Sequence, residues 1–366
     1  MWPYIALILS ITVIPFFFAV KTDKGILRAK QVTCICSFVL LLLIMGFRNE
    51  TMGMYDTQYV YHPYFNRLLS CGIKDIPNVI NSQQGVLMYY IMKIFQNFSD
   101  NYNQWIFFSS MPFLVAYSWF VYKRCDKAIE CMFSFVFLVF IRIYTAGFYL
   151  QRHFFAMTFF LLAYDSIIEK KYKRYIVFSV LAFLSHPTAI LVVLLYPLSK
   201  MRLTGKQAVI LVVAYFGMIF VGKNIFNTVF AYLSSSNYSY YTHYSTNSGF
   251  EQNSIGLVLT LLLIIFYLII KMFKVEDDYV SEAFNLFAVG TVLTMGASNV
   301  SEMYRVAYFF LVCGIPGFSR AIGLVKKKGN RRICYCVVYT LLFIYFLPVL
   351  TDVKANLCPY ISMFNK

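Results

Sequence analysis

The chain has 366 residues, is 60% hydrophobic and only 13% charged, with a mean hydropathy of +0.65. Soluble domains carry nearer one quarter charged residues, and no polar stretch here is long enough to build one. The composition therefore excludes a soluble enzyme, and it excludes a nucleic-acid-binding domain despite the net charge of +16. Apolar runs recur from end to end, and about 20 such residues suffice to cross a hydrocarbon core of roughly 30 Å. The expected fold class is an all-α polytopic membrane protein. It forms a single transmembrane domain over residues 1–366, with roughly 12 transmembrane helices plus re-entrant or interfacial segments.

Residues 2–20 lack a basic start and a small-residue cleavage site, so they read as a span rather than a removed signal. Lys21, Lys24, Arg28 and Lys30 follow and mark the cytoplasmic side by the positive-inside rule. Residues 32–47 return outward and deliver Arg48 to the outer face. Gly53, Tyr55, Asp56, Tyr59, Tyr61 and Tyr64 follow closely. Charge, glycine and phenol crowded just past an apolar run read as the floor of a polar site at a membrane surface. The outer loop extends over about 48–84.

Residues 85–98 are short and carry Lys93, which suits an interfacial or re-entrant helix. Residues 105–122 cross inward to Lys123, Arg124 and Lys127. Residues 128–141 go out, 142–153 turn outside, and 154–168 come in to the basic stretch before Arg174. Residues 175–199 are interrupted at Ser185-His186-Pro187 and read as a hairpin. Each arm has about 12 residues, roughly 18 Å of helix, so His186 at the tip sits in a recessed, wetted outer cavity. A second large outer loop, about 223–253, is rich in Tyr, Ser and Asn. Later spans turn inside at Lys271 and Lys274 and at the cluster from Arg320 to Arg332.

The nine cysteines have no CxxC framework and read as small, buried and reduced. The four histidines show no HxxxH spacing, so no metal is expected, and no cofactor either. His62 and His243 lie in polar loops and read as solvated. Arg142 suits a helix-end anchor at head groups.

A different set converges on the outer face. It comprises Arg48 with Asp56, Gln151-Arg152-His153, His186 with Thr188, and Arg305 with Tyr304 and Tyr308. Ionisable groups at membrane depth are costly and usually functional. Arginine grips phosphate oxygens in a bidentate fork, so several at one cavity suit a pyrophosphate head group. Histidine and Asp56 supply groups that take a proton from a hydroxyl. Tyrosine faces such as Tyr59 offer surfaces on which sugar rings stack.

At these residues the chain resembles the EpsG-like family of Wzy-type polysaccharide polymerases. The resemblance rests on Arg48, Gly53, Asp56 and Tyr59, on Arg152 with Ala156, on the His-Pro-Thr-Ala break from His186 to Ala189, and on Arg305 with Tyr308. One departure is Gln83-Gln84 before Gly85, where relatives often place an acidic residue. The resemblance implies a metal-independent membrane glycosyltransferase working at the outer face of the bacterial cytoplasmic membrane. Its donor and acceptor are undecaprenyl-pyrophosphate-linked glycans. Membrane lipid surrounds it, and a chain-length regulator is the expected protein partner. Arg152 and Arg305 fall to the pyrophosphate with Arg48 in support, and His186 or Asp56 to the base. The competing classes are a transporter or flippase of lipid-linked oligosaccharide, an O-antigen ligase, and an acyltransferase modifying surface glycan. Polar groups gathered near one face favour interfacial chemistry over alternating access.

Overall fold

The computed structural model describes residues 2–17, 23–52, 56–80, 85–201, 213–214, 216–217, 251–296, 303–351 and 357–364. Among these residues there is no β-strand, only an isolated antiparallel bridge between Arg48 and Ser362. Four helices are long and apolar enough to cross a membrane: Lys24–Gly46, Tyr102–Arg124, Ile255–Met272 and Tyr304–Gly323. Shorter apolar helices cover Trp2–Phe17, Ala128–Phe140 and Pro187–Lys200. The class is thus all-α and multi-pass, as the apolar runs require. The chain divides into two compact units, residues 1–193 with 342–366 and residues 194–341.

The first unit contains α1 (Trp2–Phe17), α2 (Asp23–Gly46), α3 (His62–Leu69), α4 (Leu87–Phe95), α5 (Tyr102–Arg124), α6 (Ala128–Phe140), α7 (Gln151–Ile168) and α8 (Tyr172–Ser185). Asn101 caps α5 by accepting from the Asn103 amide at 2.9 Å, and Lys123 and Arg124 face the negative end of its dipole. Helices α5 and α7 run in the same direction. At their starts, Trp105 Nε1 donates to Gln151 Oε1 at 3.1 Å. At their ends, Lys123 pairs with Asp165 at 2.8 Å, and Arg124–Asp165 and Lys123–Glu169 pairs lie beside it. Helix α2 runs the opposite way. Gln31 Nε2 near its start donates to Tyr122 Oη at 3.4 Å, and Phe47 just past its end meets Phe107 at 5.0 Å. Lys30, Lys123, Arg124 and Lys171 therefore share one end of the unit, opposite the end that carries Arg48, Tyr102 and Gln151. This is the arrangement that the loop charges predict.

Helix α4 has 9 residues, about 14 Å, and is too short to cross a membrane alone. Its Lys93, awkward in an apolar stretch, donates to the Leu68 carbonyl at 2.6 Å and so caps the end of α3. Gln96 does the same for Phe65 at 2.7 Å. Helix α8 stops at His186, whose backbone is extended, and a 3-10 stretch Pro187–Leu194 follows. Tyr175 Oη donates to the Val192 carbonyl at 3.2 Å, so the chain doubles back at His186 as a hairpin.

In the second unit, α9 (Glu251–Met272), α10 (Asp278–Gly296) and α11 (Met303–Gly323) pack together. The apolar window of α11 is 94% buried, which makes it the unit's centre. A Cβ on Gly317 would run into that of Ala283, and one on Gly314 would press on Phe287 at 2.8 Å. The bare backbone lets the two helices approach closely. Arg320 pairs with Asp277 at 2.8 Å. Helix α12 (Lys328–Phe346) follows.

Candidate functional site

Between Asp56 and His62 the chain makes one π-helical turn, Thr57–Tyr61. Such turns are frequent at functional sites. Tyr61 is buried against the start of α7, where the guanidinium of Arg152 lies 5.7 Å from its ring centroid. Tyr89 and Asp56 also lie within electrostatic reach of Arg152. The phenol face stabilises the cation without neutralising it, leaving a positively charged group that rests on a ring of another helical segment.

A hydrogen-bonded chain runs beneath this group. Gln151 accepts from Trp105 and donates through Nε2 to Tyr102 Oη at 3.3 Å. Tyr102 donates to the Thr57 carbonyl at 2.9 Å, and the Thr57 hydroxyl donates to the Phe148 carbonyl at 2.8 Å. Arg48 meets that same carbonyl from the other side, through Nε at 3.2 Å and Nη2 at 2.9 Å. Its Nη1 donates to Ser110 Oγ at 3.2 Å and to the Met45 carbonyl. Arg48 is 0% exposed. Every nitrogen of its guanidinium is thus engaged inside the protein. A buried charge of this kind is tolerable only when its donors are satisfied. Arg48 braces the turn that precedes α7, and so supports Arg152 from below rather than facing outward.

His153 and His186 meet edge to face with ring centroids 5.4 Å apart. The Thr188 amide donates to His186 Nδ1 at 3.4 Å, and the Thr188 hydroxyl lies 2.7 Å from the same nitrogen. A backbone N–H can only donate, so Nδ1 accepts, and the neutral ring carries its proton on Nε2. Nε2 of His186 is therefore an N–H donor in this arrangement. The break that holds it is pressed from outside by Gly85. At φ +78, a Cβ on that residue would strike the Ser185 carbonyl. Only glycine accepts both the left-handed backbone and the contact.

Further along the same segment, His62 Nδ1 lies 2.6 Å from Glu50 Oε2. The imidazole stacks on Tyr102 with centroids 4.4 Å apart and planes 1° from parallel. In the second unit, Arg305 lies over Tyr304 at 5.8 Å and donates to its hydroxyl at 3.3 Å, and Tyr304 packs on Tyr308 at 5.5 Å.

A model of the EpsG family matches residues 31–362, nearly the whole chain. The chain belongs to the EpsG family. That is a Wzy-like family of polysaccharide polymerases, so membership points this EpsG chain toward polymerase-type glycosyl transfer. No curated protein and no solved structure matches it.

Of the residues singled out in the sequence, the EpsG fold brings Asp56, Gln151, Arg152, His153, His186 and Thr188 to one end of the first unit. Arg48 joins them through the buried chain, and Tyr59 is exposed on the same segment. Arg305, Tyr304 and Tyr308 form their own cluster in the second unit. Gly53, Tyr55, Gln83, Gln84, His243 and the 223–250 part of the second outer loop lie outside the described residues. Sequence reasoning placed Tyr61 in the floor of the site without pairing it with Arg152, and it passed over Tyr89, the Tyr102–Gln151–Trp105 links and the Glu50–His62 pair. The one signal for the pair was a carboxylate and an imidazole sharing the outer loop after α2. Among the described residues no group of three or more His, Cys, Asp or Glu is placed to hold a metal.

Proposed function

We propose that this protein is a polysaccharide polymerase. It joins undecaprenyl-pyrophosphate-linked repeat units at the outer face of the bacterial cytoplasmic membrane. The observation that carries the proposal is Arg152, a guanidinium set on the Tyr61 face at the very start of α7 and braced by the chain through Gln151. A cation fixed in this way is prepared for negative charge that grows on a departing diphosphate, which lowers the barrier without reorganisation. His186, with its proton on Nε2, adds a neutral donor suited to a phosphate oxygen. Asp56 helps to orient Arg152. Gln151, His153 and Thr188 hold these groups in place, and Tyr59 offers a face for a sugar ring. Arg305 with Tyr304 and Tyr308 supplies a cation and aromatic faces of the same chemical kind, to which a role on the anionic part of the substrate is assigned. Gly53 is retained as part of the family pattern.

In this scheme a hydroxyl of the incoming repeat unit attacks the anomeric carbon of the growing chain. The bond from that carbon to the pyrophosphate oxygen breaks, and the electron pair leaves on the lipid diphosphate. The test is the surface polysaccharide of cells whose own copy carries Arg152→Ala. Loss of long polymer with retained single lipid-linked units is expected. Persistent long polymer, or loss of the single units as well, contradicts the proposal.

A further inference from the structure

We propose that His62, oriented by Glu50, is the general base that takes the proton from the acceptor hydroxyl; this deepens the polymerase reading and rests on it. The Glu50 carboxylate can only accept, so the 2.6 Å contact places the ring proton of neutral His62 on Nδ1. The lone pair is then on Nε2. The ring is fixed twice over, by the carboxylate on one edge and by the parallel Tyr102 ring on one face. Tyr102 is itself pinned by Thr57 and Gln151. This is the base-plus-orienter arrangement that general-base chemistry needs.

The other titratable groups of the unit fit the task less well. His153 is 2% exposed. The Nδ1 of His186 accepts an amide, so its Nε2 carries the proton. Asp56 lies within electrostatic reach of the Arg152 guanidinium, which favours its charged, proton-poor form serving that cation. The side chain of His62, by contrast, is 32% exposed, open enough for a sugar hydroxyl to reach. It directly follows Tyr61, the ring on which Arg152 rests, so the base is one residue along the chain from the ring that carries the diphosphate cation. In the step, the acceptor O–H proton moves to His62 Nε2 as the oxygen bonds to the anomeric carbon. The carbon–oxygen bond to the pyrophosphate breaks with its electron pair, and the imidazolium returns its proton to water. Glu50 is a positioning residue, stabilising the imidazolium as it forms.

The test uses purified full-length protein in lipid nanodiscs. The substrate is lipid-linked oligosaccharide extracted from cells that lack this polymerase. Chain growth is timed for wild type, His62→Ala, Glu50→Gln and Arg152→Ala, with and without added imidazole. The His62→Ala rate should fall about 100-fold or more and recover at least about tenfold with imidazole. Glu50→Gln should lower kcat about tenfold with little change in KM. Arg152→Ala should be inactive and unmoved by imidazole. A His62→Ala rate within about threefold of wild type, or a loss that imidazole does not repair in folded protein, overturns the base assignment alone. If His62→Ala does not fold, Glu50→Gln decides, and an unchanged kcat overturns the assignment. If wild type extends no chains, or Arg152→Ala extends them normally, the polymerase reading itself fails.

Discussion

Arg48 and Phe148 stand 100 positions apart in sequence, yet two nitrogens of the arginine converge on the one carbonyl of the phenylalanine. The Thr57 hydroxyl donates to the same oxygen. Three segments are thus tied at a buried point just before α7, and the orientation of Arg152 is inherited from that knot.

Breaking the knot should unfold the protein before it changes chemistry. Arg48→Ala leaves the Phe148 carbonyl and Ser110 short of donors, at a cost of about 3 kcal/mol or more. Arg48→Lys should recover little, because an ammonium has no planar fork to span the carbonyl and the hydroxyl at once. Both variants should melt several degrees lower in detergent, with polymer falling in step with the amount of folded protein. Normal melting with lost polymer would give Arg48 a direct part in the reaction.

How much of this was legible in the sequence differs from residue to residue. The lengths of α2 and α5 and the basic groups at Lys30, Lys123 and Arg124 foretell which helix ends lie together. The ion pairs to Asp165 and Glu169 join those ends. The Ser185-His186-Pro187 break foretells the hairpin, because proline removes a helical donor. The role of Arg48 was not legible. An arginine at a span end has the same local sequence whether it faces a ligand or a carbonyl contributed from residue 148, and only tertiary closure decides. The Glu50–His62 contact was hidden for a related reason. Its partners lie twelve residues apart, a spacing that marks no shared helical face.

His186 provides a sharper chemical test. With its proton on Nε2, that nitrogen can only donate, and a glutamine amide can place an N–H near the same position. His186→Gln should therefore keep a measurable share of polymerisation, while His186→Ala should lose about 10-fold or more. Chain growth by the purified variants measures this. Equal inactivity of Gln and Ala would mean that His186 works through a lone pair.

At the opposite end of the first unit, Lys123 and then Lys171 hold the Glu169 carboxyl down at about 2. A depressed carboxyl stabilises the fold above its ordinary value of 4.5, and that contribution is lost as the pH falls toward about 2. The melting temperature should thus fall on acidification below about pH 4.5, and less steeply in Glu169→Gln. Identical slopes for the two proteins would show that the carboxylate is not engaged in solution.

The central claim is that the cation on the Tyr61 face is built for a lipid diphosphate. It is tested most directly by binding of undecaprenyl pyrophosphate to the purified protein in nanodiscs, comparing wild type with Arg152→Ala. Losing a charge-assisted hydrogen bond to phosphate costs about 1.5–3 kcal/mol, so affinity should drop about 10- to 100-fold. Equal affinity in two equally folded proteins would contradict the account.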